Sequence, residues 1–205
     1  MKLECHPINP SLRAIRRAVE ILEQGGVIVY PTDTIYGLGC DLFNKHAIER
    51  IYRIKQIPKF HPMSFVCADL KDLSCYAKVD TPTYKIMKRY LPGPYTFILK
   101  ATSEVPRMML TKRKTVGIRI PDIEVCRRLV MELGRPIIST SVPESKVEFP
   151  NHPDFIEETL GKEVDLILDG GILVQGASTV IDLTEESPRV IREGSGDVSW
   201  VAAYY

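Results

Sequence analysis

Residues 25–41, GGVIVYPTDTIYGLGCD, decide how the rest of this chain is read. Val27-Ile28-Val29-Tyr30 is apolar and β-branched behind a Gly-Gly helix stop, the pattern of a strand buried on both faces. Pro31 has no backbone donor and ends the ladder. Thr32-Asp33-Thr34 then falls just past the strand's carboxyl end, before a glycine-spaced turn, Tyr36-Gly37-Leu38-Gly39. In open α/β sheets, ligands sit in the crevice at that end. Two readings of the triplet are open. Hydroxyls donate and accept, so Thr32 and Thr34 suit an amino acid's carboxylate and ammonium, or a phosphate edge. Thr and Asp are equally the residues of turns and helix caps.

Outward from this stretch, helix and strand patterns alternate. Residues 10–24 put Leu12, Ile15, Val19 and Leu22 on one helical face, with Asn9 as cap and Gly25 as stop. Residues 44–55 form the next helix, Ile48, Ile51 and Tyr52 inward and Glu49 paired with Arg53 outward. Strands are expected at 63–67, 96–99, 116–120, 136–139, 164–168, 178–182 and 189–192, and further helices at 70–75, 82–90, 123–133 and 154–160. The Pro- and Ser-rich segment 142–153 reads as a mobile lid. No repeat or linker interrupts the series. Residues 1–205 are expected to form a single α/β domain with a twisted mixed sheet and flanking helices.

Composition agrees. A chain of 205 residues, 44% hydrophobic and 26% charged, is an ordinary globular one. It is long enough to bury roughly 70% of its unfolded surface without disulfide staples. No apolar run is long enough for a membrane span and the first residues lack a signal-peptide core, so a cytoplasmic location is expected. Cysteines at 5, 40, 67, 75 and 126, without a Cys-x-x-Cys, argue for reduced thiols and against zinc. Net charge is +1 but uneven, with balances of −1, +11 and −9 over residues 1–44, 45–128 and 129–205. Either one face suits polyanions or the charges interleave on the surface.

Several chemistries are absent. The chain has no Gly-x-x-x-x-Gly-Lys-Ser/Thr loop, no Gly-x-Gly-x-x-Gly and no Gly-x-Ser-x-Gly elbow. His6, His46, His61 and His152 show no metal-ligand spacing, and no metal site is expected. The remaining polar residues follow strands. Arg119 points opposite to Val116, Ile118 and Ile120, where a guanidinium needs an anion, either a loop carboxylate or a ligand. Ser139-Thr140-Ser141 is a second hydroxyl-rich strand exit, Ser178-Thr179 opens a strand and Arg192 ends one. Lys55 ends a helix, where the dipole favours a cation. Hydroxyls and cations together describe a pocket for an anionic ligand such as a nucleotide.

The ordered series PTDTIYGLG, KQIPKFHP, LPGPYTFILKAT, GIRIP, STS, STVIDLT and VIREGSGDV resembles the YrdC/YciO family, the threonylcarbamoyl-AMP synthase superfamily. STSVPES and REGSGDV are similar to its YciO branch. The resemblance implies a YrdC-like fold with a concave electropositive face. It also implies chemistry in which L-threonine, bicarbonate and ATP form threonylcarbamoyl-adenylate and pyrophosphate, for modification of tRNA adenosine 37. ATP enters as substrate with Mg²⁺, no permanently bound cofactor is expected, and RNA, either tRNA or double-stranded, is the implied partner, without membrane or DNA specificity. Carried over by position, Thr32, Thr34, Arg119, Ser139 and Thr179 would hold the amino acid, with Arg119 on its carboxylate. Lys55, His61, Thr115, Ser141 and Arg192 would hold the nucleotide. Cations of the basic middle segment, namely Arg50, Arg53, Lys59, Lys88, Arg89, Lys112, Arg113 and Lys114, would meet RNA. No catalytic nucleophile or base is obligatory, because positioning and charge neutralisation supply most of an adenylation.

Two departures stand out. The synthases' lysine-x-arginine is here Lys55-Gln56-Ile57, and their serine-x-asparagine is Ser141-Val142-Pro143. A histidine of the following strand is Val66. The alternatives to a slow synthase are a catalytically inactive RNA-binding module and an adenylating enzyme for a different small acid.

Overall fold

The computed structural model describes residues 1–59, 61–71, 73–110 and 112–204. Val27–Tyr30 is a strand (β2) with every residue buried. It follows β1 (Lys2–Glu4) and α1 (Leu12–Glu23), and precedes β3 (Gly37–Asp41) and α2 (Lys45–Lys55). Next come β4 (Ser64–Val66), α3 (Leu73–Tyr76), β5 (Ala77–Lys78), α4 (Thr81–Tyr90), β6 (Tyr95–Ala101) and β7 (Thr115–Arg119). The chain ends through α5 (Glu124–Leu133), β8 (Ile137–Ser141), α6 (Pro153–Leu160), β9 (Leu166–Asp169), β10 (Thr179–Asp182) and β11 (Arg189–Arg192). Among the described residues the strands form one 11-stranded sheet ordered β1-β9-β2-β3-β8-β4-β7-β6-β10-β11, with β5 against β6. It is mixed, as expected: β9 with β2 and β4 with β7 are parallel, whereas β3 with β8 and β6 with β7 are antiparallel.

Two cores sandwich the sheet. On one face α2, α4 and α6 bring Ile51, Met87 and Ile156 onto Val29, Phe65, Phe97 and Ile118. On the other, α1 and α5 bring Leu22 and Leu129 onto Ile28, Tyr30, Val66 and Ile137. That second cover is partial. Side chains of paired residues share a face, so the rung Ser139–Ser64–Gly117–Ile98 lies on the α1/α5 face. Ser64, Gly117 and Ile98 stay partly exposed there.

Four expectations need correction. Gly37–Asp41 is a strand, not a turn. A Cβ on Gly39 would lie 2.8 Å from both the Tyr30 ring and Ile137 Cγ2, and 3.0 Å from the Ile138 carbonyl oxygen. The glycine there makes room for an aromatic ring rather than for a reversal of the chain. The cap of α1 is Ser11, whose side chain accepts from the Ala14 amide, so Asn9 stands before the helix. Glu49 lies 3.9 Å from Lys59. Segment 142–153 is fastened rather than lid-like. Val142 and Val147 are buried in the core, the Pro143 carbonyl accepts from the Lys146 and Val147 amides, and Lys146 is 3.2 Å from Glu163.

Residues 170–178 cross from β9 to β10 outside any strand. The Gly170 amide donates to Tyr36 Oη, which itself donates to the Gly171 carbonyl. The Leu173 amide donates to the Asn151 carbonyl, and Ser195 Oγ donates to the Gly176 carbonyl. No described helix is long and apolar enough to cross a membrane.

Candidate functional site

The strand exit of β2 meets the carboxyl end of β7. Arg119 donates one amino group to both Asp33 Oδ1 (2.8 Å) and Thr34 Oγ1 (2.9 Å). Asp33 Oδ2 also accepts from the Asp122 amide. Thr32 takes the turn role: its hydroxyl donates to the Ile35 carbonyl and accepts from the Thr34 amide. The turn reading therefore holds for Thr32, while the Thr34 hydroxyl is engaged by Arg119. Burial raises the Asp33 carboxyl above its ordinary value, against the opposing pull of Arg119. Arg119 itself is only 9% exposed, yet its Nε has no hydrogen-bond partner.

Across the open face lie small and hydroxylic side chains. Thr115, Gly117 and Arg119 alternate out of β7 onto it, while Val116 and Ile118 turn to the α2 core. Thr96 Oγ1 and Ser178 Oγ are 2.9 Å apart at its far side. Arg192 donates to the Ser178 carbonyl (2.8 Å) and Ser178 Oγ (3.2 Å). Burial, with the neighbouring Arg119 charge, lowers the Arg192 pKa from its ordinary value, and Glu144 opposes this. Two guanidiniums thus share one field.

Lys55 closes the third side. Its ammonium donates to Ser141 O (2.7 Å), Ser141 Oγ (2.7 Å) and Val142 O (3.1 Å). Burial lowers its pKa, Glu144 raises it and Arg192 lowers it further. Lys55, Arg119, Arg192, Thr34 and Ser141 therefore gather around one hollow. Asp33, Ser64, Gly117 and Glu144 join them without having been singled out as site residues. For Ser64 and Gly117 the signal was present, since each alternates with a core residue, Phe65 or Ile118.

Other expected residues do not face the hollow. Thr179 pairs with Tyr95 and lies on the same face as core Ile181, and its hydroxyl donates to the Gly196 carbonyl and accepts from the Gly194 and Gly196 amides. It fastens a loop. Ser139 is on the right face but buried, 2.6 Å from Tyr30 Oη. His61 is exposed in the loop before β4, its carbonyl accepting from Tyr52 Oη. Ile57 packs against the core, and Pro143 is buried.

The cations assigned to RNA disperse. Arg50 is bonded to Asp165 and to the Glu163 carbonyl, and Arg113 to Asp182 and Thr184. Arg53 and Lys59 line a groove of about 430 Å³ with Ile57 at the end of α2. Lys88, Arg89, Lys112 and Lys114 are exposed. The helices α2 and α4 that carry Arg53, Lys88 and Arg89 pack on the face opposite Arg119.

The described residues contain no group of three or more His, Cys, Asp or Glu able to hold a metal. Cys5, Cys40, Cys67 and Cys126 are buried free thiols, and burial pushes Cys5 up to about 11, away from thiolate chemistry. What remains is a set of donors. The arrangement can bind anions, orient them and neutralise their charge.

A family model named for Sua5, YciO and YrdC, described as "Telomere recombination", matches residues 20–194. The uncharacterised protein YciO of Escherichia coli is 51% identical over 195 residues, 94% of this chain and 95% of that protein. The crystal structure of E. coli YciO superposes with a TM-score of 0.90 at 47% identity, covering 97% and 98% of the two chains. The threonylcarbamoyl-AMP synthase of Pyrococcus abyssi is 33% identical over 182 residues, 88% of this chain and 54% of the synthase. The P. abyssi Sua5 structure complexed with L-threonine superposes with a TM-score of 0.86 at 30% identity, covering 95% of this chain and 57% of that one.

Proposed function

This chain belongs to the Sua5/YciO/YrdC family, and from that premise we propose that its open sheet face binds L-threonine and an adenine nucleotide and handles threonylcarbamoyl-adenylate. It is a YciO-type protein related to the threonylcarbamoyl-AMP synthases. The reaction joins L-threonine, bicarbonate and ATP into the adenylate, with loss of pyrophosphate and water. One observation carries the reading: Arg119 is held by Asp33 and Thr34 through one amino group alone, and a guanidinium has further donors to offer a ligand. A carboxylate there would engage them by a charge-assisted hydrogen bond. Thr34 and Ser141 supply hydroxyls for the carbamoyl end, and Arg192 meets the α-phosphate. Mg²⁺ comes with the triphosphate as part of the substrate, which needs few protein ligands.

The arginine and asparagine of the synthases are Ile57 and Pro143 here, so turnover is slow. Each lost charge-assisted contact is worth about 1.5–3 kcal/mol, together roughly two to four decades in rate. Pure protein with ATP, L-threonine and labelled bicarbonate should yield labelled adenylate slowly, and Ile57→Arg with Pro143→Asn should accelerate it. No label and no pyrophosphate above blank, in parent and double variant alike, would remove the proposal.

RNA binding is a second reading, favoured by the exposure of Lys88, Arg89, Lys112 and Lys114. With about four phosphates neutralised, log K against log salt should slope near −3 to −4. A flat response would end it.

A further inference from the structure

The hollow holds three cations, and they are not equally available. An ammonium has three N–H bonds, and Lys55 directs donors to Ser141 O, Ser141 Oγ and Val142 O at 2.7, 2.7 and 3.1 Å. Each one is committed inside the protein. Because Ser141 Oγ already accepts from Lys55, its own O–H is left to donate into the hollow. Ile57, just past the end of α2, is packed against the core, and Pro143 has no N–H, while its carbonyl closes the turn to Lys146 and Val147. Glu144, next in that turn, places a carboxylate whose field reaches both Lys55 and Arg192. On the opposite side Arg119 engages only one of its amino groups, with Asp33 and Thr34, and Arg192 is anchored to Ser178.

From this geometry, and resting on the function proposed above, we infer that the pocket is matched to a ligand with one carboxylate and one phosphate, an acyl-adenylate, and discriminates against nucleoside polyphosphates. The two guanidiniums answer those two charges. A β- and γ-phosphate would extend toward Lys55, whose donors are committed, and toward the Glu144 carboxylate. Like charges so placed weaken binding, and they act as repulsive elements that set specificity. Lys55 is accordingly a positioning residue. It holds the Ser141–Pro143 corner and aims the Ser141 hydroxyl.

Calorimetric titration of the intact protein with AMP, ADP and ATP, at constant Mg²⁺ and with L-threonine present, tests this. AMP should bind at least tenfold more tightly than ATP, with ADP between. ATP binding as tightly as AMP, or more tightly, overturns the inference while leaving the proposed function standing. Failure of L-threonine and all three nucleotides to bind overturns both. Lys55→Met gives an independent readout: the clamp predicts a melting temperature several degrees lower with the AMP-over-ATP order kept. Unchanged melting with selective loss of ATP affinity would make Lys55 a phosphate ligand, and the inference would fall.

Discussion

Two ends of the same sheet face differ more than its two faces do. On β4, β7 and β8, a step of two residues along the strand keeps the side chain on one face but changes its company. Val66 and Ile137 lie under α1 and α5 and are fully buried. Ser64 and Ser139, two residues away, pair across the open end. Arg119 pairs with Val66 in the register while its head group reaches Thr34, and Gly117 stands beside Ser64. Alternation selects the face, and helix cover then decides whether a position is core or site. The two helices stop short, and what they leave uncovered is glycine, serine, threonine and arginine.

The largest test of this contrast is Arg119→Leu, which leaves Asp33 buried without its partner. Breaking such a pair costs about 3–5 kcal/mol, read by denaturant unfolding. The pH dependence has a definite sign. Asp33 has a folded-state pKa raised by burial, so folding favours its protonated form. Its contribution to stability is therefore greatest in acid and falls as pH rises from the ordinary carboxylate value through the raised one. Without Arg119 that rise is larger, and the gap between variant and parent should narrow as pH is lowered.

Val66→Ser moves the chemistry of the open end under the helices. It should cost about 3 kcal/mol, combining lost burial with an unpaired hydroxyl, and thermal unfolding would register it. Gly39→Ala presses on Tyr30 and on the Ile138 carbonyl. A loss of about 1–3 kcal/mol is expected, read by thermal unfolding. The mildest change is Ser64→Val at the open end. Stability should shift by less than about 0.5 kcal/mol, whereas AMP or L-threonine affinity should fall about tenfold as the hollow fills. Equal stability costs for Val66→Ser and Ser64→Val would erase the contrast.

Much of this layout was legible in the chain itself. The run Val27–Tyr30 and the alternation of Val116-Gly117-Ile118-Arg119 define strands and faces directly, because burial on both sides or on one side leaves different patterns. Gly37–Asp41 was hidden, since glycines that accommodate the Tyr30 ring look like turn residues. β1 and β5 are three and two residues long, too short for any period to register. At the site, the residue types pointed to an anion pocket, but not to which polar groups are already engaged. Thr179, Arg50 and Arg113 have their partners 15 to 115 residues away, and only folded geometry reveals those bonds. The motif pointed to Lys55 as a phosphate contact, and only the folded chain reveals its three internal acceptors.

The crossing at residues 170–178 has a mechanical consequence. Seven strand spacings on a flat sheet, from β9 to β10, would need about 34 Å, nearly the roughly 33–36 Å limit of a fully extended chain from Asp169 to Thr179. Yet the segment bends at Gly171, with φ 82° and its amide on Asp169 Oδ1, so the sheet must curl to bring the two strands within reach. The segment thus acts as a bowstring across the curled sheet, tethered to Tyr36 and to Ser195. Its length sets how far the two rims can stand apart, so shortening this tether by one residue should pinch the mouth, and lengthening it should let larger guests in.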